Sequence, residues 1–405
     1  MPIAAPFARP LYVMLKPASA DCNLACDYCY YLEKKHTLHD KTMLSDALLE
    51  AFVVQYIEAQ TMPQVLFTWH GGEPLLRPLS FYERALKLQQ KHANGHQIDN
   101  CLQTNGTLLT DNWCRFLRDN HFLVGISIDG PQPLHDAFRH DRRGQPTWER
   151  VMHGIELLQK HGVEWNAMAT VNRVNADHPV DFYRFFKQIG CQFLQFTPVV
   201  ERKSSRGSLL AGTEHGGELT DFSVTPAQWG HFLCSVYDEW VQHDVGSLFV
   251  QMFDATLANW AGVAPSLCSL GTSCAHNAVM EADGSIYACD HFVFPKYRLG
   301  HLSPATTAAT PTLTTLLYGP RQQAFGRKKT ETLPRQCREC RFLFACHGEC
   351  PRNRFNTDRY GNRGLNYLCE GYHRFFTHVA ADMEFMLGEL RNGRSPANIM
   401  RRQKK

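Results

Sequence analysis

From about residue 11 to residue 200, short apolar runs rich in β-branched and aromatic residues alternate with longer amphipathic segments, the rhythm of parallel strands joined by helices. The runs predict strands over 11–15, 65–69, 98–103, 123–128, 165–171 and 193–197, and the segments between them predict helices over 45–59, 79–93, 110–119, 147–161 and 179–188. Ser45, Thr110 and Thr147 stand where an N-cap side chain would accept a backbone N–H left unpaired at a helix start. Residues 201–225, rich in Ser, Gly, Thr and charge, read as an exposed connection. Thr225-Pro226 then opens a helix with proline at its first position, closing the strand–helix region. Beyond about 262 the texture changes to cysteines, glycines and turns, with a polar stretch at 303–314 and a last helical pattern at 371–391. No repeat of fixed period is present.

At 405 residues the chain is long for one ordinary domain, and 44% hydrophobic with 20% charged residues gives it ample core-forming material. The pattern divides it at 1–240, 241–375 and 376–405. A formal net charge of +3 argues against a dominating nucleic-acid field, and Arg401, Arg402, Lys404 and Lys405 make a basic tail of the kind usually just solvated. No apolar run approaches the roughly 20 residues that cross a bilayer, and no charged segment followed by an apolar signal core opens the chain. The expectation is a cytoplasmic protein with neither nucleic-acid nor membrane partners.

Fifteen cysteines in such a chain point to thiolates kept reduced for metal. Cys101, Cys114, Cys191 and Cys234 are scattered singly through apolar sequence and read as core. The other eleven fall in two fields. Cys22, Cys26 and Cys29, with Tyr28 just before the last, offer three thiolates and no fourth. A structural zinc site wants a closed tetrahedral shell, whereas a four-iron cluster on three thiolates keeps one iron open. Free or zinc-bound cysteines are the plain alternative. In the second field Cys268 and Cys274 precede Gly284 and Cys289, followed by Cys337, Cys340, Cys346, Cys350 and finally Cys369: eight thiolates, enough for two clusters or for a pair of zinc sites.

The first field, with its spacing and Tyr28, resembles the signature of the radical S-adenosylmethionine (SAM) superfamily. The second resembles the SPASM extension of peptide-modifying members. The resemblance implies a partial (β/α)6 barrel, a cysteine-rich domain with two auxiliary clusters and a C-terminal helix, hence three 4Fe-4S clusters and SAM as cofactors. It implies that SAM chelates the open iron, that Tyr28 packs beside the adenine, and that Cys268, Cys274, Cys289 and Cys350 hold one auxiliary cluster while Cys337, Cys340, Cys346 and Cys369 hold the other. Trp69-His70-Gly71-Gly72-Glu73-Pro74 follows the second strand and resembles the motif for the SAM amino group; two glycines permit close backbone approach, and Glu73 is an acceptor for an ammonium. Ser127 and Asp129, at the end of the fourth strand, could face the ribose or simply form a turn, and Asn105 and Arg139 are further candidates for SAM's polar ends.

Asp290 directly after Cys289, Tyr30-Tyr31 after the triad, His70 and the run 195–201 narrow the resemblance to the anaerobic sulfatase-maturating enzymes. There the implied reaction is hydrogen abstraction from the Cβ of a peptidyl Cys or Ser, with Asp290 as general base and Tyr31 helping to position or relay, giving Cα-formylglycine. The implied partners are an unfolded or nascent sulfatase segment around a Cys/Ser-x-Pro-x-Arg motif and an electron donor such as a flavodoxin or ferredoxin. The rival is another SPASM enzyme that forms thioether or carbon–carbon crosslinks. Such proteins often carry an N-terminal recognition domain, and only about ten residues precede the first strand here.

Overall fold

The computed structural model describes residues 11–31, 34, 43–205, 207–210, 216–274, 277–305 and 310–402. The strands are β1 (Tyr12–Leu15), β2 (Gln64–Trp69), β3 (Gln97–Thr104), β4 (Leu123–Ser127), β5 (Trp165–Val171) and β6 (Phe193–Pro198). Between them run α1 (Asp46–Glu58), α2 (Leu79–His92), α3 (Asp111–Asp119), α4 (Trp148–His161) and α5 (Pro179–Gln188). Every strand and helix expected before residue 200 is present, with ends moved by at most a residue or two.

Ser45 and Thr110 cap α1 and α3, accepting from the N–H groups of Leu48 and Trp113. Thr147 does not cap α4. His135 Nδ1 accepts the Asp129 N–H at 3.2 Å, so Nε2 carries the proton and donates to Thr147 Oγ1 at 3.0 Å. The hydroxyl in turn donates to the Arg139 carbonyl at 3.0 Å and is used up in fixing the 129–147 loop.

α6 (Pro226–His243) starts with a full capping box, Thr225 and Gln228 each satisfying the other's backbone N–H, and with Pro226 at its first position. The chain then adds β7 (Phe249–Val250) beside β6 and turns into α7 (Gln251–Trp260). Three strands lie within the cysteine-rich stretch that reads as turns: β8 (Asn277–Met280), β9 (Ser285–Tyr287) and β10 (Arg298–His301). They are three or four residues long, too short for alternation to register. α8 (Pro320–Glu331) and the 23-residue α9 (Cys369–Arg391) complete the main elements.

One sheet, ordered β10-β9-β8-β1-β2-β3-β4-β5-β6-β7, spans the molecule. It is parallel from β8 to β7, and β9 and β10 add antiparallel strands at the far edge. Tyr12 pairs with Asn277 and Leu15 with Met280, so β8 lies against the strand that leads into the first cysteine field. This pairing joins the two halves. A division at 240 would part strands of one sheet, and a division at 375 would cut α9.

The main core runs from Leu11 to Ile399, with two smaller apolar clusters around Tyr31 and Tyr28. α9 packs on α6 where two glycines cross: a Cβ on Gly371 would lie 2.5 Å from the Pro226 carbonyl oxygen, and one on Gly230 2.9 Å from the Gly371 Cα. Cys114, Cys191 and Cys234 are buried, as their apolar surroundings imply. Cys101 is only half-buried, its thiol donating to Thr68 Oγ1 at 3.3 Å. Arg401 and Arg402 are exposed; Lys404 and Lys405 lie outside the described residues. Among the described residues no helix is long and apolar enough to cross a membrane.

Candidate functional site

The first cysteine field occupies the loop after β1. Two cross-bonds, Ala25 N–H to His140 O at 2.8 Å and Asp27 N–H to Phe138 O at 3.0 Å, hold it against the loop after β4. The Leu24 N–H donates to Cys22 Sγ at 3.3 Å, and Asn105 Nδ2 approaches the same sulfur at 3.8 Å. Burial pushes the Cys26 thiol up to about 12, against the pull of Arg139 and with further repulsion from Cys29. Cys22 is raised further still by burial, Glu73, Cys26 and Cys29. Three mutually repelling thiols in a dry pocket become thiolates only if a metal compensates their charge.

His70 to Glu73 lie beside this loop. The Gly72 N–H donates to Ser19 O at 2.7 Å and the Glu73 N–H to Asp21 O at 2.8 Å. A Cβ on Gly72 would sit 1.9 Å from the Asp21 carbonyl oxygen, so this glycine permits the approach of the cysteine-bearing backbone. Gly71, at φ +137°, turns the chain into that contact. Gly72→Ala should therefore force the two loops apart, costing about 1–3 kcal/mol. The expected readout is a lower thermal midpoint together with fewer irons per chain after reconstitution.

Glu73 is completely buried and accepts from Leu75 N (2.9 Å), Thr104 Oγ1 (2.7 Å) and Asn105 N (2.8 Å). A carboxylate has about four acceptor positions, so one remains open to a ligand. Burial raises Glu73 to about 7 despite those three bonds, a value that an ammonium placed beside it would lower.

Asp129, expected at the ribose or in a plain turn, and Arg139, expected at SAM's polar ends, are bound to each other. Asp129 accepts Arg139 Nε at 2.9 Å and Nη2 at 3.1 Å, the Thr170 N–H at 2.8 Å, and the Tyr28 hydroxyl. Its acceptor positions are filled, so its task in this fold is to fix Tyr28 and the guanidinium. Asn105 is likewise engaged, by Asn23 at 2.8 Å and by Thr107 at 2.7 and 3.0 Å. Ser127 accepts from Gln103 Nε2 at 3.0 Å and keeps its own hydroxyl proton available.

Asp290 is the meeting point of the two cysteine fields. Its carboxylate pairs with Lys16, whose side chain is fully buried, and accepts the Tyr30 hydroxyl; Lys34 Nζ donates to its carbonyl at 3.2 Å. Burial alone would raise its pKa. Lys16, His70, His291 and Lys34 overcome that and hold it well below the usual carboxylate range, so it is ionised at neutral pH.

Tyr31 does not touch Asp290. Its hydroxyl donates to the buried Glu281, and Lys16 Nζ lies 3.6 Å from its ring centroid. The tyrosine against the carboxylate is Tyr30, which also stacks on His291 at 5.1 Å. Arg352, paired with Glu201, reaches His291 Nδ1 at 3.1 Å and covers the Tyr30 ring at 4.8 Å. Sequence reasoning missed Lys16, Glu281 and Arg352. A lysine ending the apolar run of β1 was the one available signal, since a charge there must find a partner at the strand ends.

The remaining thiols form two groups. Cys268 and Cys274 add to the thiol pKa of Cys289, and all three add to that of Cys350, on top of burial. Cys337, Cys340, Cys346 and Cys369 line one cavity of about 600 Å³. Among the described residues no three Cys, His, Asp or Glu side chains close on a single ion. Four thiols in each group are a full ligand set for a four-iron cluster.

A parallel sheet whose first loop carries three partly buried thiols, joined to an eight-thiol extension, is the arrangement of a radical SAM enzyme with auxiliary clusters, and comparison with known proteins agrees. The model of the Radical SAM superfamily matches residues 17–186. A serine-type anaerobic sulfatase-maturating enzyme of Bacteroides thetaiotaomicron is 57% identical over 98% of this chain and 96% of its own. A cysteine-type anaerobic sulfatase-maturating enzyme of Clostridium perfringens is 32% identical over 91% of this chain and 96% of its own. The solved structure of native anSMEcpe with bound AdoMet and Cp18Cys peptide superposes with a TM-score of 0.82 at 31% identity, covering 94% of this chain and 99% of that one. The chain belongs to the anaerobic sulfatase-maturating enzymes.

Proposed function

We propose that this enzyme oxidises a serine of an unfolded or nascent sulfatase segment, in a Cys/Ser-x-Pro-x-Arg setting, to Cα-formylglycine. It is a SAM-dependent radical oxidoreductase of peptidyl Cys or Ser. The preference for serine is supported by 57% identity to a serine-type enzyme against 32% to a cysteine-type one. One observation carries the site assignment: Tyr30 follows Cys29, Asp290 follows Cys289, and the two side chains are hydrogen-bonded to each other.

SAM and the clusters, when bound, supply a carbon-centred radical that takes a hydrogen atom from the substrate Cβ and a sink for one electron. Cys22, Cys26 and Cys29 hold the first cluster. Cys268, Cys274, Cys289 and Cys350 hold one auxiliary cluster, and Cys337, Cys340, Cys346 and Cys369 the other. Gly71 and Gly72 bring Glu73 to the SAM ammonium, and Tyr28, steadied by Asp129 and Arg139, backs the nucleoside. Ser127 offers its hydroxyl, and Asn105 orders the loop around Cys22.

Asp290 takes the hydroxyl proton, and Lys16 and Tyr30 fix its direction. The balance closes: the serine CH2OH gives up a hydrogen atom, a proton and an electron, and becomes an aldehyde. A cysteine would give a thioaldehyde that water hydrolyses. An acidic one-electron carrier of the flavodoxin or ferredoxin kind completes the circuit. Fifteen cysteines, eleven of them assigned to clusters, support a reducing, cytoplasmic setting.

The test is anaerobic incubation of reconstituted, reduced enzyme with paired peptides that differ only in Ser or Cys at the reacting position. The expected result is 5′-deoxyadenosine formed in step with loss of two hydrogens from the Ser peptide, with a carbonyl trapped by hydrazine. 5′-Deoxyadenosine without oxidation of either peptide overturns the proposal. Faster turnover of the Cys peptide overturns the serine preference alone.

A further inference from the structure

Lys329, near the end of α8, is completely buried. Its Nζ donates to two carbonyl oxygens, those of Cys268 and Ser269, both at 2.7 Å. Carbonyl dipoles solvate an ammonium only in part, and a buried cation is costly until an opposite charge faces it. Glu349, a buried acid of the same region, accepts from Asn366 at 2.6 Å and is one charge that faces Lys329. A second counter-charge on offer is the thiolate group of Cys268, Cys274, Cys289 and Cys350, whose first member Lys329 holds by its carbonyl.

A second buried cation, Arg354, also binds only carbonyls, among them Lys329 O at 2.6 Å and Gly348 O at 2.8 Å. Its carbonyl partners include those of His347, Gly348 and Glu349, which lie between Cys346 of one group and Cys350 of the other, so it stands between both. Lys329, bonded to the turn that begins with Cys268, addresses one group. That group contains Cys289, the neighbour of Asp290.

We propose that Lys329 sets the reduction potential of the cluster held by Cys268, Cys274, Cys289 and Cys350. The inference rests on the cluster assignment made above. Reduction adds one negative charge to a four-thiolate cluster. A fixed cation in a low-dielectric pocket stabilises the reduced state and raises the potential. Lys329 is a positioning residue: it touches neither substrate nor SAM, and it acts through the cluster.

The experiment uses full-length protein in a Cys22→Ala/Cys26→Ala/Cys29→Ala background, which leaves the auxiliary clusters alone and about eight irons per chain. Lys329→Gln and Lys329→Arg are compared by redox titration followed by electron paramagnetic resonance. Lys329→Gln should keep its iron while one midpoint potential moves negative. At the poise that half-reduces the parent, its reduced-to-oxidised ratio should fall at least about tenfold, equivalent to 59 mV for one electron. Lys329→Arg should stay within about a third of that shift.

An unmoved midpoint in Lys329→Gln, or equal shifts in Lys329→Gln and Lys329→Arg, overturns the inference. Loss of one cluster's iron in Lys329→Gln also overturns it, because the lysine would then be a clamp on the Cys268 turn. Absence of iron from the unmutated background is a different failure. It sinks the cluster assignment itself.

Discussion

Replacing Cys26 with alanine abolishes reductive cleavage of SAM, 5′-deoxyadenosine formation falling by at least ~1000-fold, or more than about 4 kcal/mol in the barrier. Iron content falls with it by about four per chain. The effect is large because the site has no spare donor: the loop carries three thiols, and a cluster with an open corner uses all of them. Cys26 occupies the middle of that loop, its carbonyl accepting the Cys29 N–H at 3.0 Å, so the three sulfurs are set by one short turn. Cys191→Ala is the matched control. That thiol is buried in the apolar core and donates to the Phe193 carbonyl at 3.2 Å, so SAM cleavage should be unchanged. Retained cleavage in Cys26→Ala would remove the triad from its role.

What the chain discloses before folding is local. β5 was legible at 165–171 because positions 166–171 alternate between half-buried and buried, and α6 because Thr225 and Pro226 write its start in adjacent letters. The cysteine fields were legible for the same reason: ligands of one loop lie close in sequence. The failures are non-local. Thr147 looked like a cap until His135 and Arg139 claimed its hydroxyl. Asp129 and Arg139 looked open until the fold set them against each other and Tyr28. Which of Tyr30 and Tyr31 meets Asp290 could not be told from adjacent letters; Asp290 and Glu281, some 250 residues on, choose between them. The strands that join the two halves were hidden by their shortness, and with them the fact that β1 leads to Lys16, the counter-charge of Asp290.

Asp290→Asn carries the other large effect: peptide oxidation drops by about 10²–10⁴, the contribution typical of a general base, while 5′-deoxyadenosine formation stays within a few-fold. Asparagine keeps the shape and can still accept the Tyr30 hydroxyl, but it cannot take a proton. The same change strands Lys16, whose buried ammonium loses the carboxylate that neutralises it. Breaking one side of a buried pair costs about 3–5 kcal/mol, so the variant should also melt earlier. A loss of oxidation could then be blamed on a loosened site. Lys16→Met in the Asp290→Asn background separates the two causes, since removing both charges relieves the stranded cation while leaving the base absent. The expected outcome is recovery of most of the thermal midpoint with no recovery of peptide oxidation. Should oxidation return together with stability, Asp290 would be a structural counter-ion, and the proton would have to leave through another group.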